Sequence, residues 1–170
     1  MTRALIAIAV FTFSLGTGLN AQTPLDLRPV QPDTPDMPCE NHIGSPESCS
    51  RFVGCLGDHG AYFQGYARGW NVGTLTAVTS EGAHCTGTWK YANIFGIPQA
   101  DIICDNGEGG RLFFFYQDSL TGTAKAKGRS NKGRLVQMWS GENLKQFFSA
   151  AEPDREFPVM HCGPAEVPIS

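Results

Sequence analysis

Six cysteines, all lying beyond an apolar N-terminal run, constrain this chain more than any other feature. Cys39, Cys49, Cys55, Cys85, Cys104 and Cys162 follow a stretch, Met1 to Ala21, that has the layout of a secretion signal. Arg3 supplies the positive start and Ala4 to Leu15 the apolar run, while Gly16-Thr17-Gly18-Leu19-Asn20-Ala21 offers a cleavage point after Ala21. An even number of cysteines in an exported chain predicts a disulfide framework, because the destination is oxidising. The expected location is periplasmic or extracellular, in a bacterium, with residues 1–21 removed.

The apolar run is shorter than the roughly 20 residues that span a bilayer, and no second run follows it, so no membrane span is expected. Nor does a cysteine stand at its end to accept a lipid. Removing 1–21 leaves 12 Lys and Arg against 16 Asp and Glu. That mildly acidic balance suits a soluble protein and argues against a nucleic-acid binder, whose domain is usually basic.

Residues 22–38 hold Pro24, Pro29, Pro32, Pro35 and Pro38. Proline fixes φ and removes a backbone donor, so this stretch reads as an extended linker. A single β-rich domain over 39–170 then follows. Its opening, Cys39 to Gly60, shows little apolar periodicity and is expected to be pinned to the core by disulfides. From Ala61 onward the pattern is short β-type runs divided by glycines: Ala61–Tyr66, Gly73–Thr79, His84–Ala92, Gln99–Cys104, Arg111–Gln117, Gly122–Arg129 and Gly133–Ser140. Strands at this spacing predict a mainly β fold, an antiparallel meander closing into a small barrel or sandwich. Leu112 to Tyr116 is apolar on both faces and is expected to be a central strand covered on each side. Leu144, Phe147, Phe148 and Ala151 form one helical stripe, predicting one short C-terminal helix capped by Ser140 and stopped by Pro153. The tail beyond is expected to be extended and tethered through Cys162.

Cys85 and Cys104 flank a hairpin centred near Ile94-Phe95, so antiparallel pairing sets them opposite each other at bridging distance. The other four cysteines allow three pairings. A bond within the Cys39–Cys55 cluster and another from that cluster to Cys162 is the preferred arrangement.

Signals for chemistry are sparse. His84-Cys85 and His161-Cys162 suggest a metal, but neither C-x₂-C nor H-x₃-H spacing is present, and no metal or cofactor is expected. Six paired cysteines leave no thiol nucleophile, and no G-x-S-x-G elbow occurs. Asp58-His59 reads as a polar loop. Asp101, Asp105, Glu108, Asp118 and Glu142 could serve a hydrolase, but no spacing sets two of them across a cleft. No catalytic residue is assigned. The basic stripe is more distinctive. Lys125, Lys127 and Arg129 alternate along one strand and so share a face, and Lys132 and Arg134 follow just past the Ser130-Asn131 turn. These five cations form the candidate ligand-binding surface, suited to an anionic polysaccharide, a lipid headgroup or an acidic protein. Trp70, Trp89 and Trp139 read as core residues, with a sugar-stacking platform as the alternative.

Cys85-Thr86-Gly87-Thr88-Trp89, Cys104-Asp105-Asn106-Gly107 and Thr121-Gly122-Thr123-Ala124, with Trp139-Ser140-Gly141, resemble a class of uncharacterised exported bacterial disulfide-containing β domains. The likeness runs over residues 73–141 and implies the fold without an activity. A looser similarity is to periplasmic β-barrel lysozyme inhibitors, although the S-G-x-x-Y inhibitory loop is missing. The functional expectation is an exported, soluble, non-enzymatic binding module of the bacterial envelope or secretome, engaging an anionic partner through its basic strand. A secreted or periplasmic hydrolase and a lysozyme-inhibitor-like protein are the alternatives.

Overall fold

Tight turns at short intervals leave each strand of this chain only one neighbour in sequence to pair with, and the computed structural model shows the resulting meander. It describes residues 39–92, 95–118 and 120–169; the signal peptide expected over 1–21 and the linker expected over 22–38 lie outside the described residues. Eight strands follow in order: β1 Cys49–Leu56, β2 Tyr62–Trp70, β3 Val72–Thr79, β4 His84–Lys90, β5 Gln99–Cys104, β6 Gly109–Asp118, β7 Thr123–Ser130 and β8 Leu135–Ser140. Each runs antiparallel to the next, and β8 returns to pair with β1, so the sheet is a closed barrel rather than a sandwich. Closure removes both sheet edges, which would otherwise expose unpaired backbone donors and acceptors.

Strand alternation sorts the side chains. Phe52, Leu56, Phe63, Leu75, Leu112, Ala126, Val136 and Met138 point inward and form the main core. An eight-stranded barrel is narrow, so small residues are needed where rings meet backbone. Gly54 is such a place: a Cβ there would lie 2.2 Å from Cζ of Phe63 and 2.3 Å from the Gln137 carbonyl oxygen. A turn at Asp105-Asn106-Gly107 joins β5 to β6, with Gly107 at φ 76° and the Asn106 side chain accepting from the Glu108 N–H at 2.9 Å.

A second core lies on the outer wall. The helix α1, Leu144–Ala151, and a C-terminal hairpin of β9, Val159–Cys162, and β10, Ala165–Pro168, cover β1 and β8 from outside. Val53, Leu144, Phe148, Met160, Val167 and Ile169 pack there, and Trp139 meets the Phe148 ring edge-on at 5.7 Å.

Four expectations need correction. The segment opening at Cys39 contributes a full barrel strand, β1; its alternation was hidden because Val53 and Cys55 are buried under the hairpin while Phe52 and Leu56 are buried inside. Ser140 does not cap the helix: it ends β8 and donates its hydroxyl to the Gly122 carbonyl at 3.1 Å, while Asn143 precedes the helix with no side-chain cap bond. The tail is a paired hairpin rather than a bare extended segment. Finally, Leu112 to Tyr116 is covered on one side only. Leu112 is buried, but Phe113, Phe115 and Tyr116 face solvent at 45%, 61% and 49% exposure.

Cys85–Cys104 forms as expected, and the four cysteines whose pairing the sequence left open join as Cys39–Cys49, within the cluster, and Cys55–Cys162, from the cluster to the tail. Cys85 stands opposite Cys104 in the β4–β5 register. Such bonds are compatible with an oxidising, exported location. Cys55–Cys162 closes the longest loop, 107 residues of sequence separation against 19 for Cys85–Cys104. On the chain-entropy model these loops are worth about 4.7 and about 3 kcal/mol. Urea unfolding should therefore show the Cys55→Ala/Cys162→Ala variant losing more stability than Cys85→Ala/Cys104→Ala. Equal losses would contradict the entropic ranking.

Candidate functional site

The two ends of the barrel are built from different side chains. At one end the β3–β4, β5–β6 and β7–β8 turns bring Glu81, Glu108 and Arg134 together. Arg134 Nε donates to Glu108 Oε1 at 2.9 Å, and its two terminal nitrogens donate to Glu81 at 3.0 and 3.1 Å. A terminal nitrogen also donates to Glu108 Oε2, and Lys132 Nζ lies 3.6 Å from that carboxylate. Glu108 is buried, with 3% of its surface exposed. The Arg134 hydrogen bonds chiefly, with help from the Ser130 hydroxyl and Lys132, hold its carboxyl down at about 2 against the opposing effect of burial. A carboxylate held so firmly ionised is a structural counter-ion and a poor general acid. This end is plugged.

The plug carries a pH signature. Because the Glu108 pKa is depressed on folding, the stability it contributes is present above the unfolded value of 4.5 and is lost as pH falls from about 4.5 toward about 2. Glu81, lowered by the same guanidinium, adds in the same direction. Replacing Arg134 with Met leaves Glu108 buried without its bidentate partner, which should cost about 3 kcal/mol at neutral pH; its carboxyl is then no longer held down, so the loss of stability between about pH 4.5 and about pH 2 should shrink and the gap to wild type should narrow as the pH falls. Urea titrations from about pH 2 to about pH 7 check both effects. An unchanged acid limb would contradict them.

The opposite end is open. Trp70, Trp89, Tyr91, Leu75, Phe114 and Met138 line a cavity of about 200 Å³ that opens between the β2–β3 turn, the β4–β5 loop and the β6–β7 loop. Its largest ring is fixed by a close approach: the Trp89 indole lies over Gly73, where a Cβ would come within 2.5 Å of Nε1. That Nε1–H donates to the Arg68 carbonyl at 3.3 Å, satisfying the indole's one donor and holding the ring against the wall. Ala67 and Ala124 leave the space the rings do not fill.

The rim is ordered by polar contacts. Asp118 accepts from the Leu120 N–H at 3.0 Å and from the Thr121 hydroxyl at 2.8 Å, shaping the β6–β7 loop. Asn41 donates to the Leu120 carbonyl at 3.0 Å and accepts from Ser48 at 2.9 Å. The Cys39–Cys49 bond ties this arm to β1, so Asn41 is held at the mouth. That disulfide thus serves the site as well as stability.

The basic stripe lands elsewhere, and the structure divides it. Lys125, Lys127 and Arg129 alternate with the buried Ala124 and Ala126 and with Gly128, placing the three cations together on the outer wall. Lys132 and Arg134 are drawn to the plugged end by Glu108 and Glu81. Sequence distance concealed those acids, which arrive from other turns. Of the tryptophans, Trp70 and Trp89 line the mouth, whereas Trp139 lies beneath the helix. Asp58 and His59 sit 3.2 Å apart in an open position, and Asp101 pairs with Arg111 on the outer wall at 2.6 Å. Among the described residues no group of three metal-ligating side chains is assembled, and all six cysteine sulfurs are held in disulfides.

These features define a closed eight-stranded β-barrel with one ionic plug and one aromatic mouth. No protein-family model matches the chain, and no curated protein matches it. Among solved structures it is similar to a redesigned β-barrel, mFAP0, bound to DFHBI, with a TM-score of 0.45 and 11% identity over 57% of this chain and 98% of that one. It is also similar to a de novo designed fluorescence-activating β-barrel, with a TM-score of 0.44 and 11% identity over 55% of this chain and 89% of that one.

Proposed function

We propose that this protein is an exported, non-enzymatic binding module whose barrel mouth takes one small, flat, largely apolar molecule. The observation that carries the reading is the aromatic cavity itself, at the end of the barrel that its own side chains do not plug. Eight-stranded barrels either fill their interior or hold one small ligand, and mouths of barrels are favoured ligand sites. A cavity of about 200 Å³ exceeds the roughly 150 Å³ that accepts a benzene ring. Its rings offer flat faces for stacking, and the indole donor of Trp89 is already taken. The rings therefore favour shape and apolar contact, while Ser50, Asn71, Gln117 and Thr123, which also line the cavity, leave room for a few hydrogen bonds. Binding rather than catalysis fits the carboxylates as well, since Glu108 sits in the plug and Asp118 is engaged in holding the rim.

Fluorescence titration with N-phenyl-1-naphthylamine, a neutral aromatic probe, tests this reading. Wild type should bind it saturably at one site with a change in tryptophan emission. Ala67→Phe, which fills the mouth from a small wall position, should weaken binding by at least about tenfold, a loss of roughly 1.4 kcal/mol. Its thermal unfolding should stay close to that of wild type. Absence of saturable binding, or equal binding by a folded Ala67→Phe protein, would contradict the proposal.

A further inference from the structure

The outer wall of the barrel differs from one side to the other. On β3 and β4 the central outward positions are Thr74, Thr76, Thr86 and Thr88, paired across the strands as a polar ladder of the kind expected where a sheet faces water, with Val72 and Val78 flanking them opposite Lys90 and His84. On β1 and β8 the outward positions are covered by the helix and the C-terminal hairpin. On β6, beyond the outward Arg111, they are neither polar nor covered. Phe113, Phe115 and Tyr116 stand exposed there, and Ile103 on neighbouring β5 is exposed at 54%.

A bulge raises part of this surface. The β6–β7 register shifts between Phe114 and Tyr116, so Phe114 turns inward to the mouth while the consecutive Phe115 and Tyr116 both project outward. The strand runs from the plugged end toward the mouth, and the exposed Leu120 continues the apolar surface onto the rim. The result is a projecting apolar ridge.

Cations interleave with the rings. Phe113 stands opposite Lys127 and Tyr116 opposite Lys125. Lys127 lies over the Phe115 ring at 5.7 Å, and Lys125 lies over Tyr116 at 5.8 Å and over Phe147 of the helix at 4.1 Å. Arg129 extends the row and donates to the Gly133 carbonyl at 3.1 Å. Among the described residues, no carboxylate lies within ion-pair distance of these three cations; Asp101 on the same wall is neutralised by Arg111. A chain of net charge −3 thus gathers unopposed positive charge on a bare apolar wall.

We propose that this wall docks on the surface of a lipid bilayer carrying anionic headgroups, with the Phe115–Tyr116 ridge entering the interface and Lys125, Lys127 and Arg129 meeting headgroup phosphates. Aromatic rings and lysines side by side match the two layers of a membrane interface, apolar below and anionic above. A polysaccharide would be met by neutral hydrogen-bonding groups around the rings, which phenylalanine does not supply. An acidic protein would satisfy the cations and leave the ridge wet. Docking by this wall would hold the barrel peripherally and bring the rim toward the lipid. It goes beyond the cavity reading and does not depend on it.

Vesicle co-sedimentation of the purified, disulfide-intact protein tests the proposal, using phosphatidylcholine vesicles with and without phosphatidylglycerol. Binding should appear with phosphatidylglycerol and weaken as salt is raised. Lys125→Ser/Lys127→Ser/Arg129→Ser should remove the dependence on phosphatidylglycerol, a loss of about a hundredfold summed over the three phosphate-facing cations. Phe115→Ser/Tyr116→Ser should reduce binding by at least about tenfold while leaving its salt dependence in place. Thr76→Ser on the opposite wall should bind like wild type. As a depth reporter, Tyr116→Trp should shift its emission to the blue and be quenched by brominated lipid. No binding by folded wild type, unchanged binding by either multiple variant, or capture by anionic polysaccharide or acidic protein without vesicle binding would overturn it. The neutral-probe titration is independent, so either reading can fail alone.

Discussion

Everything else in this structure depends on β8 returning to pair with β1. The register from Phe52 opposite Ser140 to Leu56 opposite Val136 joins the first and last barrel strands. It turns an open sheet with two sticky edges into a closed wall, and it creates an inside. The contact is far apart in sequence, so its loop-closure cost is met only once most of the meander has formed. Cys55 lies on β1 within that seam, and its bond to Cys162 anchors the hairpin that covers the seam from outside. Closure, outer core and disulfide are therefore one construction.

Closing the barrel also makes its two ends unequal. At the plugged end the turns are short and carry Glu81, Glu108 and Arg134, whose hydrogen bonds satisfy a buried carboxylate that could not otherwise be ionised there. At the mouth the side chains are aromatic, and the Trp89 indole N–H is already engaged. A cavity walled largely by rings, with Ser50, Asn71, Gln117 and Thr123 also in its lining, favours a mainly apolar guest. The asymmetry is what makes the proposed binding reading specific: it picks out one end and one kind of guest.

Much of the scaffold was legible in the sequence, for identifiable reasons. Cys85 and Cys104 could be paired because a hairpin register is local, and Lys125, Lys127 and Arg129 could be placed on one face because strand alternation is local too. β1 was missed because cysteine reads as punctuation when it also serves as a buried apolar residue, and because burial on both faces erases the period of two. The tail hairpin was missed because prolines at Pro164 and Pro168 argued against pairing, although one lies in the turn and the other ends an edge strand. The aromatic run at Phe113 to Tyr116 misled in the opposite sense, since apolarity on both faces predicts burial unless a surface has another use. The mouth itself left no local signal. Trp70, Trp89 and Phe114 come from three different strands, and only their assembly makes a cavity.

The central claim is that the open aromatic end is the binding site, and the three tryptophans allow it to be tested residue by residue. Indole N–H resonances should be followed by NMR during titration with N-phenyl-1-naphthylamine. The account predicts that the Trp70 and Trp89 signals move while Trp139, beneath the helix on the outer wall, stays in place. Movement of the Trp139 signal alone, or of none of the three, would contradict it.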